Sequence, residues 1–184
     1  MKRILLEGPV AEPVTLAEAK AHLRIDGDDE DDLIGALTVA ARVATETEIR
    51  RVMIAQSWRA FVEVWPEEGI ELPVQPALSV EAVRAIDTES MATLLDAEDH
   101  AFDIADGSVE LKNPLVGTDH YEIDFLAGYG ASSADVPQPL RQAILMLAAH
   151  WHEHRSAVSD GERAAATPLG YRELIQPYRK VALC

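Results

Sequence analysis

Residues 135–158 read DVPQPLRQAILMLAAHWHEHRSAV, and this stretch decides the fold. Its two prolines, Pro137 and Pro139, stand in the opening turn, where a missing backbone N–H is tolerated, and no proline follows them. Leu140, Ile144, Leu147 and Trp151 recur at helical spacing and make one apolar stripe. The pattern predicts a long helix over about 137–158, the spine of the core, with those four side chains buried.

The N-terminal part carries two more helices. Thr15 opens the motif TLAE, in which the Thr15 hydroxyl can cap the first turn while Glu18 reaches back, and Pro13 keeps the preceding chain extended. A short helix follows to about Arg24, with Leu16, Ala19 and Leu23 on one face, and stops at the turn-forming Asp26, Gly27 and Asp28. The acidic run DDEDD at 28–32 then leads into LIGALTVAARVATETEI, where Leu33, Leu37, Ala40, Ala44 and Thr47 repeat at helical spacing. Carboxylates at a helix start complement its dipole. A calcium loop is the other reading of these acids, but the glycine and the distal glutamate of an EF-hand are missing.

Between the helical parts the period changes. WRAFVEVW at 58–65 alternates, with Trp58, Ala60, Val62 and Val64 on one face, which reads as a strand. SVEAVRAID, AFDIADGSVEL and HYEIDFLAGYG read as further strands separated by polar turns, Asp106-Gly107 being the clearest. The glycines of AGYG at 127–130 read as a strand end, having neither dinucleotide-loop spacing nor a phosphate-loop lysine. The fold class is therefore α+β: a mainly helical body, built from the N-terminal helices and the long C-terminal helix, with an inserted antiparallel β region. The expected organisation is one domain over 1–184, a β-rich insertion over 56–130, and a mobile loop and tail over 159–184.

Composition narrows the function. With 32 acidic residues against 16 Lys and Arg, the net charge of -16 disfavours binding to a phosphate backbone. Acidity serves solubility first; on the wall of a DNA channel it would also keep DNA from adhering. The single cysteine, Cys184, excludes an internal disulfide and a cysteine-based zinc cluster, and fits a reducing cytoplasm. Ile4, Leu5 and Leu6 make too short an apolar run for a signal peptide, and no stretch nears the roughly 20 apolar residues that cross a bilayer, so neither secretion nor membrane insertion is expected.

Chemistry-bearing motifs are sparse. His150 and His154 lie four apart on the long helix and would share a face, as metal-ligating histidines do, yet the zinc-peptidase order is absent because Ser156 occupies the fourth position after His152. A solvated or partner-facing surface is the simpler reading. Ser132 and Ser133 lack a nucleophile-elbow context, and the abundant acids single out no catalytic pair. No catalytic residue, cofactor or metal site is expected.

Three stretches in order, EPVTLAEAKAHLRIDGDDEDDLIGALTVAAR at 12–42, QSWRAFVEVWP at 56–66 and GYGASSADVPQPLRQAILMLAAHWHEHRSAV at 128–158, resemble the head-tail connector (adaptor) proteins of long-tailed phages and gene transfer agents. LIQPYR at 174–179 is similar to the family's ending. One departure is Glu48, where relatives tend to close the second helix with a Thr-Gly pair. The resemblance implies a non-enzymatic subunit of a homo-oligomeric, twelvefold ring beneath the capsid portal, extending the DNA channel without specific DNA binding and docking a further connector or tail-terminator protein. It implies assembly in the bacterial cytoplasm and then residence at the head-tail junction of a phage or gene-transfer-agent particle. Ring closure that depends on the portal as template would leave the free subunit a monomer. Two other readings stand beside it: a metal-dependent enzyme using the His150 and His154 helix, and a cytoplasmic scaffold unrelated to phages.

The C-terminal segment is the expected docking element. Tyr171, Leu174, Ile175 and Tyr178 form an apolar stripe too short for a stable isolated helix, because helices below about 12 residues are marginal in water. It needs a surface, either the portal protein or the chain's own helices.

Overall fold

The computed structural model describes residues 1–154 and 167–180. Contacts divide the chain into two compact units, one of Met1–Val10 and Val52–Ala131, the other of Ala11–Arg51 and the described part of Ser132–Cys184.

The second unit is helical. Helix α1 (Leu16–Leu23) begins as its sequence dictates: Thr15 Oγ1 accepts from the Glu18 amide at 3.2 Å, and Glu18 Oε2 accepts from the Thr15 amide at 2.9 Å. Arg24 ends it in the left-handed conformation, donating its amide to Ala21. Helix α2 (Asp31–Ile49) continues past Thr47 and is closed by Arg50, which is also left-handed, in the region where relatives are expected to place a Thr-Gly pair. Helix α3 (Gln138–Glu153) has prolines only at its start, and α4 (Tyr171–Ile175) is followed by a 3-10 turn over Gln176–Tyr178. Residues 155–158 of the expected long helix lie outside the described residues, as does the expected mobile loop up to 166. Among the described residues no helix is long and apolar enough to cross a membrane.

Helix α3 buries Leu140, Ala143, Ile144, Leu147 and Ala148, whereas Trp151 is only half-buried. The stripe therefore holds for its first three members, and small alanines beside them let α2 and α4 come close. Helix α2 departs further from expectation. Its inward residues are Ile34, Thr38, Ala41, Arg42, Thr45 and Ile49. Of the residues that repeat at helical spacing, Leu33, Ala40 and Thr47 are exposed and Leu37 and Ala44 half-buried. The inward face holds Thr38, Arg42 and Thr45 and is more polar than the outward one, so apolar periodicity alone does not find the side that the core takes. Thr38 and Thr45 turn inward at little cost because each hydroxyl donates to the carbonyl four residues back, Ile34 and Ala41.

The first unit is antiparallel β. Strand β1 (Lys2–Glu7) pairs with β2 (Gln56–Val62); β3 (Ile70–Glu71), β4 (Ala77–Asp87), β5 (Ala92–Leu94), β6 (His100–Asp103), β7 (Ser108–Leu111) and β8 (Thr118–Ala127) complete it. One sheet has the order β1-β2-β8-β4-β5 and the other β3-β7-β6. Alternation places Gln56, Ala60 and Val62 inward on β2, where Ala60 and Val83 flank Ile123, and Val62 and Ala85 flank Tyr121. Trp65 meets the Tyr121 ring edge-on at 5.3 Å between centroids. The expected Asp106-Gly107 turn joins β6 to β7, and the buried Gln75 amide donates to the Leu72 carbonyl while its oxygen accepts from the Ala77 amide. Val64, expected to share a strand face with Trp58, Ala60 and Val62, lies beyond the strand end and is 81% exposed.

Candidate functional site

The structure takes up half of the expected docking stripe within the subunit. Tyr171 and Ile175 are buried, whereas Leu174 and Tyr178 keep partial exposure and Arg172 and Arg179 are exposed. The Tyr171 hydroxyl donates to Thr45 Oγ1 at 3.1 Å, and burial pushes its phenol above the ordinary tyrosine range. The Lys180 amide donates to the Ile49 carbonyl at 3.0 Å, tying the segment to the end of α2. Leu174 and Tyr178 leave the outer side of the segment partly exposed.

The histidines gather at the end of α3 without forming a ligand set. The His150 and His154 rings lie 4.5 Å apart between centroids, tilted by 38°, and His154 Nδ1 lies 2.9 Å from the His150 carbonyl. His152 Nε2 instead meets Glu30 at 2.9 Å, which fastens the end of α3 to the start of α2. Among the described residues no three His, Cys, Asp or Glu side chains are arranged to hold a metal ion.

The acidic run has a structural partner. Lys20 Nζ lies 2.7 Å from both Asp28 and Asp31, and its hydrogen bonds to Asp28 and then Asp31 raise the lysine above its usual range. Arg42, the one cation of α2, is turned inward between Glu12 at 2.7 Å and Glu46 at 2.8 Å. Burial opposes its charge, but the two carboxylates outweigh burial and strengthen it. In the β unit, Asp124 is held between Arg59 and Arg84, with Glu122 on Arg59 at 3.0 Å. Every charged group of this ladder has a partner, so it braces adjacent strands rather than waiting for a ligand.

These charged and polar groups are paired within the chain. A model of the phage gp6-like head-tail connector proteins matches residues 13–104. The chain belongs to that family. The matched span contains α1, α2 and most of the β unit, the elements whose caps and cores are described above. No curated protein matches the chain significantly. Among solved structures, the connector chain is similar to one in the neck of an empty gene transfer agent particle with C6 symmetry, at 28% identity and TM-score 0.81, covering 100% of this chain and 98% of that one. It is also similar to a chain of the native gene transfer agent virion, at 28% identity and TM-score 0.80, covering 100% and 98%. A third similar chain, from the neck of the native particle with C12 symmetry, has 29% identity and TM-score 0.74, covering 98% and 97%. The connector is a structural protein of mixed α and β architecture.

The sequence had pointed to the family through core and capping positions. Helical spacing on α2 did not say which face the core takes, and the buried Thr45 partner of Tyr171 gave no signal, because a lone threonine in a helix is unremarkable.

Proposed function

We propose that the chain forms a ring at the head-tail junction of a phage-like or gene-transfer-agent particle, continuing the DNA channel between the portal protein and the next connector or tail-terminator protein. The observation that carries this reading is the likeness over the full chain length, at TM-score 0.81 and 28% identity, to a chain in the neck of an empty gene transfer agent particle computed with C6 symmetry. Rotational symmetry requires copies that meet head to tail, which suits a subunit with a rigid helical unit. The acidic surface, at -16 per chain, suits a channel wall that DNA passes without adhering. The ring is assembled in the cytoplasm of the producing bacterium, its closure templated by the portal, and the subunit works without catalysis or cofactor. Leu174 and Tyr178, with the exposed outer side of their segment, are the portal-facing contacts.

Deleting the gene in a particle-producing strain tests this directly. Filled heads without tails, restored to tailed particles by the gene in trans, are the expected result in electron micrographs. Tailed particles in normal number without the gene would refute the reading.

A further inference from the structure

We propose that the outward stripe of α2, formed by Leu33, Ala36, Ala40, Val43 and Thr47, is the surface on which a second copy of this chain packs when the ring closes. The inference rests on the ring reading above and names the contact that reading needs.

The spacing of the five residues is three, four, three, four, the repeat by which one helix presents a continuous seam to a neighbour. At about 1.5 Å rise per residue the seam runs roughly 21 Å along the helix. All five are exposed, Leu33 at 37% and Val43 at 48%. Every exposed position of α2 after Asp32 is uncharged, in a chain of which 26% is charged. A helix face meant for water carries charged and polar groups, so this face is built to be covered. Two details strengthen the point. Arg42 is drawn inward by Glu12 and Glu46, and the Thr47 hydroxyl donates to the Val43 carbonyl at 2.7 Å, so its hydrogen bond is satisfied within its own helix. Ala36 and Ala40 leave room for close approach at the middle of the seam.

Charge selects the occupant. Two copies that each carry -16 repel one another, and the repulsion is least where the abutting surface has no charge. A partner of opposite sign would be drawn to the acidic surface instead, leaving the neutral face for a like-charged neighbour. With more than two copies about one axis the contact is heterologous, so the stripe meets a different face of the next subunit.

Ala40→Glu and Val43→Glu place a charge in the seam at exposed positions. The purified variants should keep the circular dichroism and melting temperature of the parent, while their incorporation into particles falls at least tenfold; Ala40→Ser should incorporate normally. A photo-crosslinking amino acid at Ala40, irradiated in purified particles, should yield a dimer of this chain. Normal incorporation of both glutamate variants overturns the proposal. So does a crosslink to a different particle protein, or the absence of any crosslink from chains that are present in the particle. If a glutamate variant fails to fold, the crosslink alone decides. If the parent chain is absent from particles, the ring reading itself has failed, a result distinct from all of these.

Discussion

The Tyr171 hydroxyl donates to Thr45 Oγ1 at 3.1 Å, joining α4 to α2 across 126 residues of sequence, with both residues almost wholly buried. Thr45 in turn donates its hydroxyl to the Ala41 carbonyl at 2.7 Å, so the two hydroxyls form a short chain of hydrogen bonds that ends on the helix backbone. Tyr171→Ala removes a large buried ring and should destabilise the isolated subunit by about 3–5 kcal/mol. Tyr171→Phe, which leaves the Thr45 lone pair unmatched, should cost about 1 kcal/mol. Truncation before residue 171 should lower the melting temperature of the free subunit, because it also removes the buried Ile175. Chemical denaturation of the three proteins measures all of this; an unchanged truncated subunit would mean that the segment serves partners only.

Ile144 is fully buried near the middle of α3. Ile144→Asp puts an unpaired carboxylate there and should cost several kcal/mol, on the order of 3–5, or leave the chain unfolded at ambient temperature. Ile144→Val, which keeps the shape, should cost about 1 kcal/mol. Equal melting temperatures for Ile144→Asp and the parent would remove α3 from the core.

Elements set by neighbouring residues were legible in the sequence, and those set by distant ones were not. The α1 cap needs only Thr15 and Glu18, and the early prolines with Leu140, Ile144 and Leu147 announce α3 locally. Strand β1 was missed because all six of its residues are exposed, and it exists through pairing with β2, which begins at Gln56. The two-residue β3 is too short for any alternation. On α2, an inward stripe holding Thr38, Arg42 and Thr45 is more polar than the outward one, so a rule that puts the apolar face inside picks the wrong side. The inward polar groups are possible because carbonyls and carboxylates within the unit satisfy them. The same limit applied to the candidate site: apolar spacing in 171–178 was readable, but whether the chain or a partner covers it depends on Thr45.

Asp124 should make stability depend on acid. Burial raises its pKa, but hydrogen bonds from Arg59 and Arg84 outweigh burial and hold the folded value below the usual carboxylate range. A depressed folded pKa contributes stability above the unfolded value of about 3.9, lost as pH falls through the lower folded one. Asp124→Asn should therefore cost roughly 1–3 kcal/mol at neutral pH, towards the low end because the arginines keep 26% and 28% exposure. The gap between parent and variant should close as pH falls below about 4. Glu18, Asp28 and Asp135 also have lowered pKa values, and comparing parent with variant cancels their shared contribution. A gap that widens in acid would reverse the assignment.

Gly128 ends β8 with φ of +145°, and its amide donates to the Pro76 carbonyl at 2.8 Å. A Cβ built there would lie 2.6 Å from the Ala55 nitrogen and 2.7 Å from its Cα, so the obstacle is backbone and cannot turn aside as a flexible side chain would. The Ala55 amide is itself committed, donating to the Gly130 carbonyl at 2.8 Å, and the Tyr129 amide donates to Met53 at 2.8 Å. Relief of the clash must therefore stretch hydrogen bonds on both sides of the glycine. Gly128→Ala should cost about 2–4 kcal/mol, combining the backbone conformation with the displaced contacts. Gly8→Ala is the control, since nothing lies within 4 Å of a Cβ at that position. Thermal melts of the two variants should separate clearly, with Gly8→Ala close to the parent. If Gly128→Ala melts with it, the close approach between 128 and 55 does not hold in solution, and the end of β8 is looser than these contacts require.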